Sequence, residues 1–116
     1  MPELVISDTS CLILLTKIHE LDLLRQMYGT VVTTPTIVAE FGAALPEWVR
    51  VDSARDIYRQ QLLEMQLGPG EASAIALALE LRGSTIILDD YKARKVASRY
   101  VWYTGKGEGT RADFGS

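Results

Sequence analysis

The chain has one cysteine, Cys11, and one histidine, His19, in 116 residues. A lone thiol allows no intrachain disulfide, and Cys11 reads as a small buried apolar residue. So few sulfur and imidazole ligands argue against a zinc site. Long apolar runs are also missing, with nothing near the roughly 18 residues of a membrane span. The start, Met1-Pro2-Glu3, lacks the basic stretch of a secretory signal. A cytoplasmic protein with no membrane attachment is the expectation. Aromatic residues make up only 8% and offer no evident platform for stacking bases. No internal repeat of the solenoid or propeller kind is present.

What is present is an ordinary globular balance, 47% apolar and 23% charged, in a chain long enough for one core. Strands are expected over 4–7, 30–33, 85–88 and 101–104, with a short edge strand over 48–51 after Pro46. Helices are expected over 10–18, about 20–28 up to Gly29, and from Thr34-Pro35 to near Gly42. Three more are expected over 53–66, 71–82 and 91–100. Ala54, Ile57, Tyr58, Leu62 and Met65 would form the apolar face of the helix over 53–66. Strands separated by helices predict an α/β fold, a three-layer α/β/α sandwich around a mainly parallel sheet. Residues 105–116, rich in Gly and charge, read as a flexible tail after a domain spanning 1–104.

Carboxylates stand where these elements meet. Asp8 follows Leu4-Val5-Ile6-Ser7, and Asp89-Asp90 follows Thr85-Ile86-Ile87-Leu88. Buried parallel strands would deliver both to the carboxyl edge of the sheet, where open α/β folds bind ligands. Glu71 begins a helix after Gly68-Pro69-Gly70, where glycine lets the backbone approach a ligand closely. Acids gathered at one edge repel one another unless a cation joins them, so a divalent-metal site is expected. Such oxygen donors suit Mg²⁺ or Mn²⁺. The Thr9 and Ser10 hydroxyls are candidates to orient a ligand or a metal-bound water, or else serve in ordinary capping. Each acid has a plainer role as well: Asp8 and the Asp89-Asp90 pair as helix caps, Glu71 as a first-turn acid facing the helix dipole. Glu40, between Ala39 and Phe41, reads by itself as a solvated helix residue.

Taken in order, Val5-Ile6-Ser7-Asp8-Thr9-Ser10, Pro35-Thr36-Ile37-Val38-Ala39-Glu40, Gly70-Glu71-Ala72-Ser73-Ala74-Ile75-Ala76-Leu77-Ala78 and Leu88-Asp89-Asp90-Tyr91-Lys92-Ala93-Arg94 resemble the PIN-domain nucleases. The likeness is greatest to the VapC-like ribonuclease toxins of prokaryotic toxin–antitoxin modules, and it covers roughly residues 3–104. It implies that Asp8, Glu40, Glu71 and Asp89 form an acidic quartet, with Asp90 an additional or alternative ligand. It further implies Mg²⁺- or Mn²⁺-dependent cleavage of single-stranded RNA, a cognate antitoxin that blocks the site, and a homodimer. The net charge of −3 weakens a nucleic-acid reading only slightly, since with those five acids set aside the rest of the chain carries +2. It does argue against tight metal-free binding. Lys92, Arg94, Lys95 and Arg99 are candidates for RNA contact, or else a solvated basic helix face.

Near its end the chain departs from that likeness. Similar chains continue into a further apolar helix, whereas Gly105-Lys106-Gly107-Glu108-Gly109-Thr110-Arg111 has no apolar period. The expected consequence is exposed apolar surface that promotes dimerisation or weakens folding. This makes a catalytically inactive PIN-like protein-binding module the main rival to an enzyme. A phosphoryl-accepting receiver domain fits poorly, because its acidic pair follows the first strand. An Asp-x-Asp phosphatase fits poorly too, because Ser10 occupies the second acidic position.

Overall fold

The apolar runs at 4–7, 30–33, 49–51 and 85–87 lie side by side in one sheet. A computed structural model of the chain describes residues 3–88, 102–103 and 110–111. In chain order the elements are β1 (Glu3–Ser7), α1 (Thr9–Lys17), α2 (Asp22–Tyr28), β2 (Gly29–Thr33), α3 (Pro35–Phe41), β3 (Val49–Val51), α4 (Ile57–Glu64), α5 (Pro69–Glu80), β4 (Thr85–Ile87), β5 (Trp102–Tyr103) and β6 (Thr110–Arg111). The sheet runs in the order β3-β2-β1-β4-β6-β5. β1 to β4 are mutually parallel, with Val5 opposite Val31, Thr33 opposite Val51 and Ser7 opposite Ile87. β6, within the stretch read as a tail, pairs antiparallel with β4 and with β5. The expected mainly parallel α/β sheet flanked by helices is the one observed.

Burial explains why these runs are apolar without alternation. Val5, Ile6, Val31, Val32 and Ile86 are fully enclosed, as strands covered on both faces must be. Each such side chain contributes about 1.5–3 kcal/mol by leaving water. α5 supplies much of the cover: residues 72–79 are all buried, and four of them are alanines that let the backbone approach closely. A helix apolar on every side belongs inside a fold. α3 starts as its sequence demands, with the Thr34 hydroxyl accepting from the Ile37 N–H at 3.1 Å and Pro35 in the first turn. It stops at Gly42, whose φ of +73° is left-handed.

Three expectations need correction. α4 is shorter than the predicted 53–66, and the face expected to be buried is the exposed one. Tyr58 is 79% exposed, Leu62 64% and Met65 80%, whereas Leu63 is buried. The reason lies at its start. Glu80, at the end of α5, accepts from the backbone N–H groups of Arg55 and Asp56 at 2.8–2.9 Å. Asp56 then caps the helix by accepting from the Arg59 N–H at 3.0 Å. These contacts fix where the helix starts, and from that start Leu63, not the predicted stripe, packs into the core. α2 likewise begins later than expected, at Asp22, because residues 18–20 complete a turn that ends α1. Cys11, expected to be buried, is only half-buried. Among the described residues no helix is long and apolar enough to cross a membrane.

Candidate functional site

The strand order places a topological switch beside β1. The chain lays β2 and β3 on one side of β1 and then returns to lay β4 on the other. In open parallel sheets the crevice at such a reversal, outside the carboxyl ends of the strands, is where ligands bind. Asp8 follows β1 at this point. Its backbone N–H donates to the Ile87 carbonyl at 3.2 Å, so the pairing of β1 with β4 continues into the site. Asp8 is only 2% exposed. Its Oδ1 accepts from the Cys11 N–H at 2.9 Å, which makes it the N-cap of α1. Asp8 therefore fills the cap role expected of it, and Ser10 lies exposed in the first turn. Burying a carboxylate is unfavourable unless donors or cations meet it, so capping accounts for part of this burial.

Glu40 comes to the same edge from α3. Glu40 is an exposed residue, yet its carboxylate is held on both oxygens. Thr9 Oγ1 donates to Oε1 at 2.7 Å, and the Gly70 N–H donates to Oε2 at 3.1 Å. Gly70 lies in the first turn of α5, whose own N-cap residue, Gly68, supplies no side-chain acceptor. Glu40 therefore satisfies an otherwise unpaired donor of a neighbouring helix and sets negative charge at its positive end. A side chain on residue 70 would overlap the Glu40 carboxylate where it now lies, so glycine leaves the space that the carboxylate fills.

Behind Gly70 a second set of bonds closes a ring. Ser73 Oγ donates to the Gly70 carbonyl at 2.7 Å. With that hydrogen committed, the 2.7 Å contact between Thr34 and Ser73 must have Thr34 as donor. Thr34 is the N-cap of α3, the helix that carries Glu40. Gly70 is thus gripped at its N–H by Glu40 and at its C=O by Ser73. Sequence reading had singled out neither Gly70 as a partner of Glu40 nor the Thr34–Ser73 pair. The only hint was the Gly68-Pro69-Gly70-Glu71 run itself.

Glu71 follows Gly70 directly and is half-buried in the first turn of α5. Three acidic positions are therefore linked in sequence as Asp8-Thr9, then Glu40, then Gly70-Glu71, with hydrogen bonds at both joints. The expected ligands Asp89 and Asp90, and the basic residues Lys92, Arg94, Lys95 and Arg99, lie outside the described residues. Among the described residues no group of three or more acidic, histidine or cysteine side chains is itself placed to hold a metal ion. The donors gathered here are carboxylate and hydroxyl oxygens, the hard set that matches Mg²⁺ or Mn²⁺. The side-chain-free Gly70 leaves room for the Glu40 carboxylate at the start of α5.

No curated protein and no solved structure matches the chain significantly. A family model described as a PIN domain matches residues 4–102, a span that includes Asp8, Glu40, Glu71 and Asp89. PIN domains are in general nucleases, that is hydrolases, and typically use divalent metal ions. With that match across most of its length, the chain belongs to the PIN-domain family.

Proposed function

We propose that the protein is a metal-dependent endoribonuclease that hydrolyses phosphodiester bonds of single-stranded RNA, and that it is the VapC-like toxin of a toxin–antitoxin pair. The observation that carries this reading is the bridge from Thr9 through Glu40 to Gly70, which draws three acidic positions together at the switch point of the sheet. In the proposed site Asp8, Glu71 and Asp89 hold Mg²⁺ or Mn²⁺, with Asp90 an additional or alternative ligand. Glu40 stands beside them, still with acceptor capacity on each oxygen. The bound cation offsets phosphate charge and lowers the pKa of an attacking water. Asp8 presents its carboxylate from a rigid position, fixed by its own cap bond to Cys11. Thr9 holds Glu40, and Ser10 is exposed where it can meet a ligand. Lys92, Arg94, Lys95 and Arg99 steer the RNA backbone towards the acids. Phosphate contacts of this kind position a strand without reading its bases. A homodimer and a cognate antitoxin are the proposed protein partners.

A second reading, a catalytically inactive protein-binding module, draws on the outward apolar side chains of α4. Tyr58, Leu62 and Met65 recur at helical spacing and are each more than half exposed. Metal-titrated cleavage of single-stranded RNA separates the two. The enzyme cleaves with Mn²⁺ or Mg²⁺, and Asp8→Asn loses at least about 10²-fold in rate while keeping its fold, since asparagine caps as well as aspartate. A wild-type protein with no metal-dependent cleavage, or a fully active Asp8→Asn variant, refutes the proposal.

A further inference from the structure

The acidic positions described here are tied together by protein contacts alone. Thr9 is covalently next to Asp8, and Gly70 is covalently next to Glu71. Both donate to the one carboxylate of Glu40, at 2.7 Å and 3.1 Å. That carboxylate joins the start of α1 to the start of α5. We infer that Glu40 is a positioning residue which, through Thr9 and Gly70, fixes the spacing between the segments bearing Asp8 and Glu71 before any cation binds. This rests on the metal-binding reading above and adds the device that assembles its ligands.

Several features favour a clamp over an incidental surface contact. A Cβ on residue 70 would overlap the Glu40 carboxylate as it is placed, so glycine permits the contact in this geometry. Its carbonyl is held separately by Ser73, which in turn accepts from Thr34 at the head of the helix bearing Glu40. The ring from Glu40 along α3 to Thr34, Ser73 and Gly70 leaves α3 and α5 little freedom to slide. Thr9 then hooks α1 onto that ring. Charge runs the same way, because a third carboxylate beside two others is tolerable where helix N–H groups face it. A preformed spacing removes ordering that a cation would otherwise have to impose.

Outer partners that orient metal ligands typically change metal affinity by about 10–100-fold when removed. Thr9→Val should therefore weaken Mn²⁺ binding by a factor in that range, read by calorimetric titration of the full chain. Thr9→Ser, which keeps the hydroxyl, should return affinity to within about threefold of wild type. In metal-free protein, Glu40→Ala should speed amide hydrogen exchange at Gly70 relative to wild type, and circular dichroism checks that each variant is folded. Thr9→Val with wild-type Mn²⁺ affinity overturns the clamp and leaves the metal site standing. Equal weakening in Thr9→Ser also overturns it, because the hydroxyl would then not be the cause. A wild-type chain that binds no Mn²⁺ overturns the metal reading, and this inference falls with it.

Discussion

Replacing Gly70 by alanine sets two effects of opposite sign against each other. Alanine is favoured over glycine in a helix by up to about 1 kcal/mol. Against this, a methyl at residue 70 would overlap the Glu40 carboxylate and force it away. Glu40 would then lose the Gly70 N–H, and with it the geometry of the Thr9 bond. A bond to a charged group contributes about 1.5–3 kcal/mol, and Glu40 is exposed enough that the low end applies. The Gly70 N–H, on a buried residue, would be left without an acceptor, which costs about 1–3 kcal/mol. Both costs belong to the same broken bond, so about 2 kcal/mol lost against up to about 1 gained leaves Gly70→Ala less stable by about 1 kcal/mol. For a chain of this size that corresponds to a fall in Tm of roughly 3–6 °C. The assay is thermal unfolding followed by circular dichroism, in chelator, so that no metal contributes. A decisive control is the same substitution in a Glu40→Ala background. With the carboxylate gone the overlap is gone, and Gly70→Ala should there be neutral or stabilising. Contact pairs of this kind show non-additivity of about 0.5–3 kcal/mol. A stabilised Gly70→Ala single variant, or equal effects in the two backgrounds, would refute the claim that Glu40 and Gly70 are mechanically joined.

Other positions give independent checks. His19 has a φ of +58° and ends α1 in a Schellman turn, its N–H on the Thr16 carbonyl at 3.1 Å and the Glu20 N–H on the Leu15 carbonyl at 2.8 Å. His19→Gly should stabilise by about 0.5–1 kcal/mol, seen as a higher urea midpoint at unchanged slope; an unchanged or lower midpoint would mean that the turn is not strained. Glu80→Ala removes the acceptor for two backbone N–H groups ahead of α4 and should cost about 1–2 kcal/mol, with faster amide exchange at Arg55 and Asp56. Unaltered exchange there would show that α4 is held in place by packing alone.

How much of this was legible in the sequence follows from the range of the interactions involved. The parallel strands showed as short unbroken apolar runs, because a strand covered on both faces has no polar side to alternate. α3 was announced by Thr34-Pro35, and its end by Gly42, since caps act within a few residues. The start of α4 was not legible because the residues ahead of it are held by Glu80, some 25 residues away. Its apolar spacing was real, but the face it marked is turned outward. At the site, Asp8 was legible as a residue following a strand. Glu40 was not, because its carboxylate is held by donors 31 and 30 residues distant. Only the likeness to PIN-domain nucleases raised it above a solvated helix position. The glycine before Glu71 is expected to let the backbone approach a ligand; in the structure the group that approaches it is the carboxylate of Glu40.

Anomalous diffraction from a crystal soaked in Mn²⁺ reaches the centre of this account most directly. The expected result is a peak in the crevice beyond β1 and β4, coordinated by the carboxylates of Asp8 and Asp89, with the Glu40 bridge to Thr9 and Gly70 intact. A crystal saturated with Mn²⁺ that shows no peak there, with Asp8 serving only as the cap of α1, would contradict it.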